Sequence, residues 1–428
     1  MMEAEQFDQA VMYYEKAYQS DPGDEEIAHK LAQARTRMVQ AQLIKVRLQR
    51  QGNQPRAAAN TLNIALKNIK KWKVMADSGV KATIDKEVME AGYWLNKELA
   101  ELAGNKNHNR FYYSIKQYDE IYSTGLADDS RKRHQANMLK LGQLQCTKMR
   151  KELTNQSHFL HSIWQAYCGA FSKQVKYPMK ADNTRFKSAS ISVKGVKVDN
   201  QAGVSSSRIA RRVAAGVQGH PWFSEQAKRP LKMAMSGAIH YKNTSKKKTF
   251  SHTYKAKKET IELIKDPKNP KKIIRKLVHS KPVEKHVTFK GKVHHEITSH
   301  KLKFHGFVQG KALSVHEQTA KQVHQTQSHS HYFKSENIRP LNPNFLDKSA
   351  WADGMGNELV NKALQRLNTL WIDTYCTANT KKSTLARNEF PARCATLQPQ
   401  HASVNAWTQA VFDLSYPELN TLLYNRHQ

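Results

Sequence analysis

Three stretches between Lys232 and Phe333 alternate apolar residues with cationic or polar ones, and this alternation is the strongest constraint on how the chain folds. They lie at 233–241, 287–295 and 302–308. Because successive side chains of a strand point to opposite faces of a sheet, a period of two predicts half-buried antiparallel strands. One face would pack on a core and the other would carry Lys and His. We therefore expect a basic antiparallel β domain in the middle of the chain.

The chain has a formal net charge of +33, and the excess is concentrated in its middle. Residues 181–340 include 33 Lys or Arg against 10 Asp or Glu. Such a field attracts polyanions, anionic membrane surfaces or acidic proteins, although a surface that only keeps the protein soluble would look the same. Candidate anion contacts are cations on the outer strand positions and on a helix predicted over 205–217: Lys290, Lys292, Lys301, Lys303, Arg208, Arg211 and Arg212.

Helical periodicity dominates the first 175 residues, and strand-like alternation begins near residue 186. Helices are predicted over 24–51, 57–72, 84–103, 109–127 and, as one or two helices, over 138–175. The basic strands are interrupted at 266–276, where two prolines and a lysine run predict a loop with a short helix.

After Pro340 the pattern is helical again. Residues 357–378 form an apolar stripe that predicts burial of Leu364, Leu367 and Trp371, and short helices follow at 407–414 and 417–424. The chain is therefore predicted to be α+β, with three parts: a helical domain at 1–178, a basic His-rich β domain at 179–340, and a C-terminal helical segment at 341–428.

Residues 7–22 resemble the second helix of a tetratricopeptide repeat, which places small residues, an aromatic residue and a closing proline at fixed offsets. These positions are Ala10, Tyr14, Ala17 and Pro22. An ordinary amphipathic helix is the alternative. The resemblance implies helical repeats whose groove binds a protein or peptide. It also predicts that the chain is truncated, because too few residues precede Phe7 for the first helix of the repeat. The missing piece could carry an export signal or a lipid anchor.

The order of a helical segment followed by basic strands also resembles a poorly characterised group of bacterial cell-envelope proteins, in which helical repeats are joined to basic β-rich modules. The residues that carry this resemblance are 236–241, Tyr254, 266–270 and the long polar strand at 322–333. The resemblance implies a location in the periplasm or cell envelope, and it implies no known activity.

The four cysteines fall into two pairs that are close in sequence, Cys146 with Cys168 and Cys376 with Cys394. This grouping predicts two local disulfides in an oxidising compartment; four reduced thiols in a cytosolic protein are the alternative. The spacing contains no C-x-x-C pair, which argues against a zinc ribbon. No apolar run approaches the length of a transmembrane helix.

Ten of the twenty His lie between His279 and His331. His329 and His331 would share a strand face and could bind zinc or copper, but outer-face His that carry partial charge are the preferred interpretation. The chain contains no G-x-S-x-G, Walker A or G-x-G-x-x-G pattern, so we predict neither an enzyme nor a cofactor site. The favoured function is a scaffold or interaction protein of the cell envelope. The alternative is a cytoplasmic nucleic-acid-binding protein.

Overall fold

The computed structural model describes residues 2–74, 78–125, 128–154, 156–171, 182–334, 336–377 and 384–424. Within these residues the protein is α+β, as predicted, with thirteen α-helices and one four-stranded sheet. The chain divides into two compact units: the helical unit, Met1–Lys180 with Ile372–Gln428, and the sheet unit, Ala181–Trp371. None of the described helices is both long enough and apolar enough to cross a lipid bilayer.

Among the described residues, eight helices come first, four strands and one helix follow, and four helices come last. The first eight helices are α1 Met2–Ser20, α2 Glu25–Gln51, α3 Pro55–Trp72, α4 Ser78–Gly104, α5 His108–Gln117, α6 Asp119–Tyr122, α7 Asp128–Glu152 and α8 His158–Phe171. The remaining elements are β1 Ala189–Val198, α9 Ser206–Gly216, β2 Leu231–Asp266, β3 Asn269–Val308, β4 Lys311–Ser328, α10 Lys348–Tyr375, α11 Thr384–Cys394, α12 Ala402–Phe412 and α13 Tyr416–Tyr424.

Local chemistry sets several helix boundaries in the helical unit. The Asp24 side chain accepts a hydrogen bond from the Ile27 backbone N–H at 3.0 Å and so caps α2. Pro55 occupies the first turn of α3, where its missing N–H is not needed. The predicted helix at 109–127 is instead two helices, because the chain bends at Tyr118 and buries that ring. Residues 126–127 and 172–175 lie outside the described residues.

The four residues of the tetratricopeptide resemblance lie on α1 and just after it. Ala10 and Tyr14 pack against a small core that contains Val11 of α1 and Leu31 of α2. Ala17 is partly buried, and Pro22 follows the end of α1 in an exposed turn. The contact between α1 and α2 therefore uses two of the four positions.

The predicted proximity of the cysteine pairs is confirmed. Cys146 of α7 and Cys168 of α8 form a disulfide with a Cα–Cα distance of 5.5 Å. Cys376, directly after α10, and Cys394 of α11 form a second with a Cα–Cα distance of 5.0 Å. The first disulfide belongs to a core in which α8 packs with α12 and α13. Helices α12 and α13, from the end of the chain, thus pack with α8, from its first part.

The sheet is mixed, which corrects the prediction of a purely antiparallel domain. Its order is β1-β2-β3-β4; β1 pairs with β2 in parallel, and the other two pairs are antiparallel. Parallel neighbours need a long crossover connection, and the chain between β1 and β2 supplies one that contains α9. Ser205 caps this helix by accepting from the Arg208 N–H at 3.4 Å.

The predicted loop at 266–276 is also wrong. The structure places a tight turn at Pro267 and Lys268, and β3 then runs without a break through two of the stretches predicted as separate strands. Pro267 suits this turn because it lacks a backbone donor and has a fixed φ. The remaining residues of the lysine run continue β3, where backbone pairing with β2 satisfies their polar groups.

Helix α10 begins nine residues before the predicted start at 357, because Ala352 and Met355 extend its buried face. Leu367 and Trp371 are buried as predicted, at 1% and 0% exposure, whereas Leu364 is half-buried. Position 378, the predicted end, lies outside the described residues. Trp371 packs edge-on against Trp222 with ring centroids 4.9 Å apart, and the two rings anchor the sheet unit's core.

Candidate anion-binding site

The two faces of the sheet have different environments. On β3, Glu296, His300 and Phe304 are buried, and we call their side of the sheet the front face. The alternate residues Lys301 and Lys303 are exposed on the opposite side, the back face. The pairing of β2 with β3 is regular from 233 to 260, so the alternation between faces is unbroken along this part of β3.

This alternation separates the four lysines that the sequence grouped. Lys290 and Lys292 are at even positions of β3 and lie on the front face, whereas Lys301 and Lys303 are at odd positions and lie on the back face. All four side chains are exposed. A single ligand bound flat on one face would therefore meet two of them at most.

Lys290 and Lys292 line a groove with a volume of about 710 Å³. We call it the basic groove. β2 contributes Lys247 and Thr249, β4 ends at Ser328, and the chain at 340–343 forms one wall. Among the side chains that the structure describes, none of those lining the groove belongs to Asp or Glu. The lining includes four lysines and three hydroxyl side chains, and these are groups that bind an oxyanion.

Lys247 and Lys292 are directly opposite each other in the ladder between β2 and β3. Thr249 faces Lys290 in the next pair on the same face, so Lys290 lies beside the opposed lysines. Like charges in directly opposed positions destabilise a sheet. The arrangement is favourable when an anion lies between the ammonium groups, and this is the main electrostatic feature of the groove.

A second, polar groove of about 530 Å³ continues along the front face. Its lining includes Ser245 and His294, which form the ladder pair next to Lys247 and Lys292. The far end carries Lys348, whose ammonium lies 4.2 Å from the centroid of the Tyr241 ring and donates to the Gln201 carbonyl at 2.6 Å. The front face therefore has cations at both ends of the polar groove, with Lys247 and Lys292 at one end and Lys348 at the other.

The predicted arginine cluster on α9 is largely engaged within the sheet unit. Arg208 forms an ion pair with Asp353 of α10 at 2.9 Å. Arg212 lies 3.7 Å from the same carboxylate and donates to the Asn357 side chain at 2.7 Å. Arg211 is exposed. Two of the three arginines therefore attach α9 to α10, which leaves them less available to an external anion.

His329 and His331 lie beyond the end of β4 and pack around one aromatic ring. Their rings lie 4.6 and 5.8 Å from the ring of Phe289, and His331 stacks on Phe333. Strand β4 has already ended at Ser328. In the described part of the chain, no group of three or more His, Cys, Asp or Glu is placed to hold a metal ion.

Five aromatic residues lie among the cations of β2 and β3, where exposed rings could stack on nucleic-acid bases, but most of them are packed. Tyr241, Phe289 and Phe304 are buried, and Phe250 and Tyr254 are half-buried. Phe250 and Phe289 lie against each other with centroids 5.8 Å apart. Stacking on nucleic-acid bases needs exposed ring faces, so these residues give the nucleic-acid alternative little support.

A buried polar network lies on the front face beneath α10. His300 and Glu317 lie 3.7 Å apart, and Lys362 of α10 forms an ion pair with the same carboxylate. Burial lowers the pKa of His300, and Glu317 partly opposes this. The His300 and Glu317 side chains are 6% and 9% exposed. The groups face one another within the core, so their geometry serves packing and not an open reaction site.

A second buried polar pair, Tyr241 with Glu296, lies beside the polar groove. Tyr241 donates its hydroxyl to the Glu296 carboxylate, which also accepts from the Leu346 backbone N–H at 2.7 Å. Burial, with the hydrogen bond and charge of Glu296, raises the pKa of Tyr241 to about 12. These contacts hold the chain around 346 against the sheet, and so fix the wall of both grooves.

Sequence reasoning missed Lys247 and Lys348. Lys247 belongs to a run of three lysines at 246–248, and alternation along β2 places only the middle one on the front face with Lys292. The lysine run therefore points to Lys247 only once the register of β2 against β3 is known.

No protein-family model, curated protein or solved structure matches this chain.

Proposed function

We propose that the protein is a non-enzymatic binding protein whose sheet unit holds a linear polyanion along the front face. The observation that carries this proposal is the opposition of Lys247 and Lys292, with Lys290 beside them, in a groove whose described side chains include no carboxylate. One anionic group of the ligand would lie between these lysines. The polar groove would hold the adjoining segment, with Lys348 near its far end.

The test compares two charge reversals of equal size. The front-face variant is Lys290→Glu with Lys292→Glu, and its matched control is Lys301→Glu with Lys303→Glu on the back face. Affinity for labelled heparin oligosaccharide, polyphosphate and single-stranded DNA is measured between about 50 and 200 mM salt. The front-face variant should lose about tenfold or more in affinity and lower the salt slope by about two, whereas the control should lose far less.

Equal losses in the two variants would mean that the sheet attracts anions only through its overall charge. Unchanged binding in the front-face variant would remove the groove from the proposal. A marked preference for single-stranded DNA over heparin and polyphosphate would instead favour the nucleic-acid alternative.

We place the protein in an oxidising compartment such as the periplasm or cell envelope. Two disulfides support this, because such bonds persist where thiols are not kept reduced. The resemblance of the element order to cell-envelope repeat proteins agrees with the same location. Mass spectrometry of the non-reduced protein isolated from its native cells tests the point: reduced cysteines there would argue for the cytoplasm.

We further propose that the helical unit binds a protein or peptide. Ile44 and Leu48 are exposed one turn apart on α2, and Met89 and Tyr93 are exposed one turn apart on α4. Paired apolar side chains at this spacing suit contact with a partner helix. A photo-crosslinking residue at Ile44 or Tyr93 should attach to one protein species, whereas the same residue at exposed Leu144 of α7 should not.

A further inference from the structure

Residues 251–288 form a two-stranded arm at one end of the sheet. β1 pairs with β2 as far as Ile239, and β4 pairs with β3 from Lys292 onwards. In the part of the chain that the structure describes, the arm's strands pair with each other alone. With about 3.3 Å per residue, the arm is roughly 50 Å long. An isolated two-stranded hairpin is at best marginally stable in water. We therefore expect a partner to bind and stabilise an arm of this length.

The side chains along the arm are open to solvent. Apart from Tyr254, Ala256 and Val287, which are half-buried, every described side chain of the arm is exposed. The arm contains 11 Lys or Arg and four Asp or Glu. Its partner must therefore accept positive charge over a long surface.

The tip of the arm differs from its stem in composition. Residues 261–278 contain seven Ile, Leu or Val and six Lys or Arg, whereas the rest of the arm contains two Val and no Ile or Leu. Leu263 and Ile273 at the tip are 68% and 65% exposed. Their ladder partners are Arg275 and Lys265, which makes Leu263 and Ile273 diagonal neighbours on one face. The tip thus exposes aliphatic side chains at positions that lie next to cationic residues in the ladder.

We propose that the tip of the arm inserts into the headgroup region of an anionic lipid bilayer. Aliphatic side chains at the tip would reach the boundary of the acyl chains, while Lys side chains next to them keep their ammonium groups among the phosphates. Charge complementarity selects the bilayer's anionic lipids. A polyanion without an apolar phase would use the cations but would leave Leu263 and Ile273 in water.

This inference goes beyond the polyanion groove, because the groove and the tip share no residue. The proposed arrangement places an anchor at the end of the arm and a binding groove at its base. Association of the full chain with vesicles tests it. Flotation is measured with vesicles of neutral phosphatidylcholine alone and with vesicles that contain about a third phosphatidylglycerol, an anionic lipid.

The tip variant is Leu263→Ser with Ile273→Ser, and the matched control is Val283→Ser, which removes an exposed aliphatic side chain from the stem. The wild type should float with anionic vesicles and much less with neutral ones. The tip variant should lose about tenfold or more in partitioning, while the control should lose little. Because all three side chains are exposed, circular dichroism and thermal unfolding should be unchanged.

Two results would overturn the inference: wild-type protein that stays unbound to anionic vesicles at low salt, or a tip variant that floats as well as the wild type. In the second case the cations alone would account for attachment. The Lys290→Glu, Lys292→Glu variant separates this result from the groove proposal, since it should keep the tip's dependence on Leu263 and Ile273 while losing polyanion affinity.

Discussion

Lys247 and Lys292 face each other across the antiparallel ladder of β2 and β3, with neither a carboxylate nor a bulge between them. A pair of this kind carries an electrostatic cost in the free protein. Natural sheets more often place opposite charges in such positions. An anion that binds between the two ammonium groups offsets this cost. The same two residues therefore couple the stability of the sheet to ligand binding.

Charge reversal at this pair should have opposite effects on stability and on binding. Lys292→Glu replaces a repulsive pair by an attractive one and should raise the free energy of unfolding by about 0.5 kcal/mol at low salt. The same change should weaken polyanion binding. Urea denaturation with and without polyphosphate measures both effects, because ligand should stabilise the wild type far more than the variant. Lys303→Glu, opposite Ser236 and His316, is the control.

Shortening a core side chain of α10 should destabilise the sheet unit strongly. Leu367 is 1% exposed, and its carbonyl accepts from the Trp222 indole N–H at 3.2 Å. Leu367→Ala should cost about 2–5 kcal/mol, through lost burial and the cavity that remains. The half-buried neighbour Leu364 gives a control, since Leu364→Ala should cost clearly less in the same denaturation experiment. Equal costs would mean that α10 packs less tightly than its burial indicates.

The sequence predicted the helices, strands and disulfides whose signals lie within a short stretch of chain. Local helical signals located α2, α3 and α9, because hydrogen bonds and apolar spacing within one element decide these. Alternation located the basic strands, and cysteine spacing located both disulfides. Each of these signals lies within a short stretch of chain.

The parts that the sequence missed depend on pairing between distant segments. The continuity of β3 through the lysine run is decided by backbone pairing with β2, which overrides the loop signal of two prolines. The face on which each lysine lies depends on the register, and this separated Lys290 and Lys292 from Lys301 and Lys303. Likewise, nothing local to 372–428 indicates that it packs with the first 180 residues.

The two disulfides should each contribute a substantial part of the helical unit's stability. They join cysteines 22 and 18 residues apart. In the chain-entropy model, loops of this size are worth about 3 kcal/mol each, because the cross-link restricts the unfolded chain. Denaturation with and without reductant measures the sum. In Cys146→Ala with Cys168→Ala the effect of reductant should fall by about half, and no effect of reductant on the wild type would contradict the prediction.

A buried ion pair within α11, between Glu389 and Arg393, also accepts hydrogen bonds from the first turn of α8. The Glu389 carboxylate accepts from the Leu160 backbone N–H at 2.9 Å and from Arg393 at 2.8 Å. Glu389→Gln would leave the Arg393 charge buried without a counterion and should cost about 3–5 kcal/mol. Glu26→Gln, in the exposed pair with Lys30, should leave stability unchanged and serves as control. A small effect at Glu389 would show that water reaches Arg393.

Hydrogen bonds hold His220 as one neutral tautomer. Its Nδ1 accepts from the Trp222 backbone N–H at 3.1 Å, so its Nε2 carries the proton and donates to the Asn368 side chain at 2.9 Å. Burial lowers the pKa of His220 to about 4, and the hydrogen bond to Asn368 only partly opposes this. Protonation at Nδ1 would remove the bond from Trp222, whose ring lies in the core against Trp371.

The depressed pKa makes the sheet unit sensitive to acid. An unfolded His has a pKa of about 6.5, so between that pH and about 4 the unfolded chain binds a proton that the folded protein does not. The contribution of His220 to stability is therefore complete above about pH 6.5 and is lost as the pH falls towards 4. The loss in the free energy of unfolding should be of order 2 kcal/mol once solvent screening is allowed for.

Urea denaturation from about pH 7 to about pH 4.5 measures this effect. The free energy of unfolding should depend less on pH in His220→Gln than in the wild type, while exposed His252→Gln should match the wild type. Parallel curves for wild type and His220→Gln would mean that the ring is free to protonate in the folded protein.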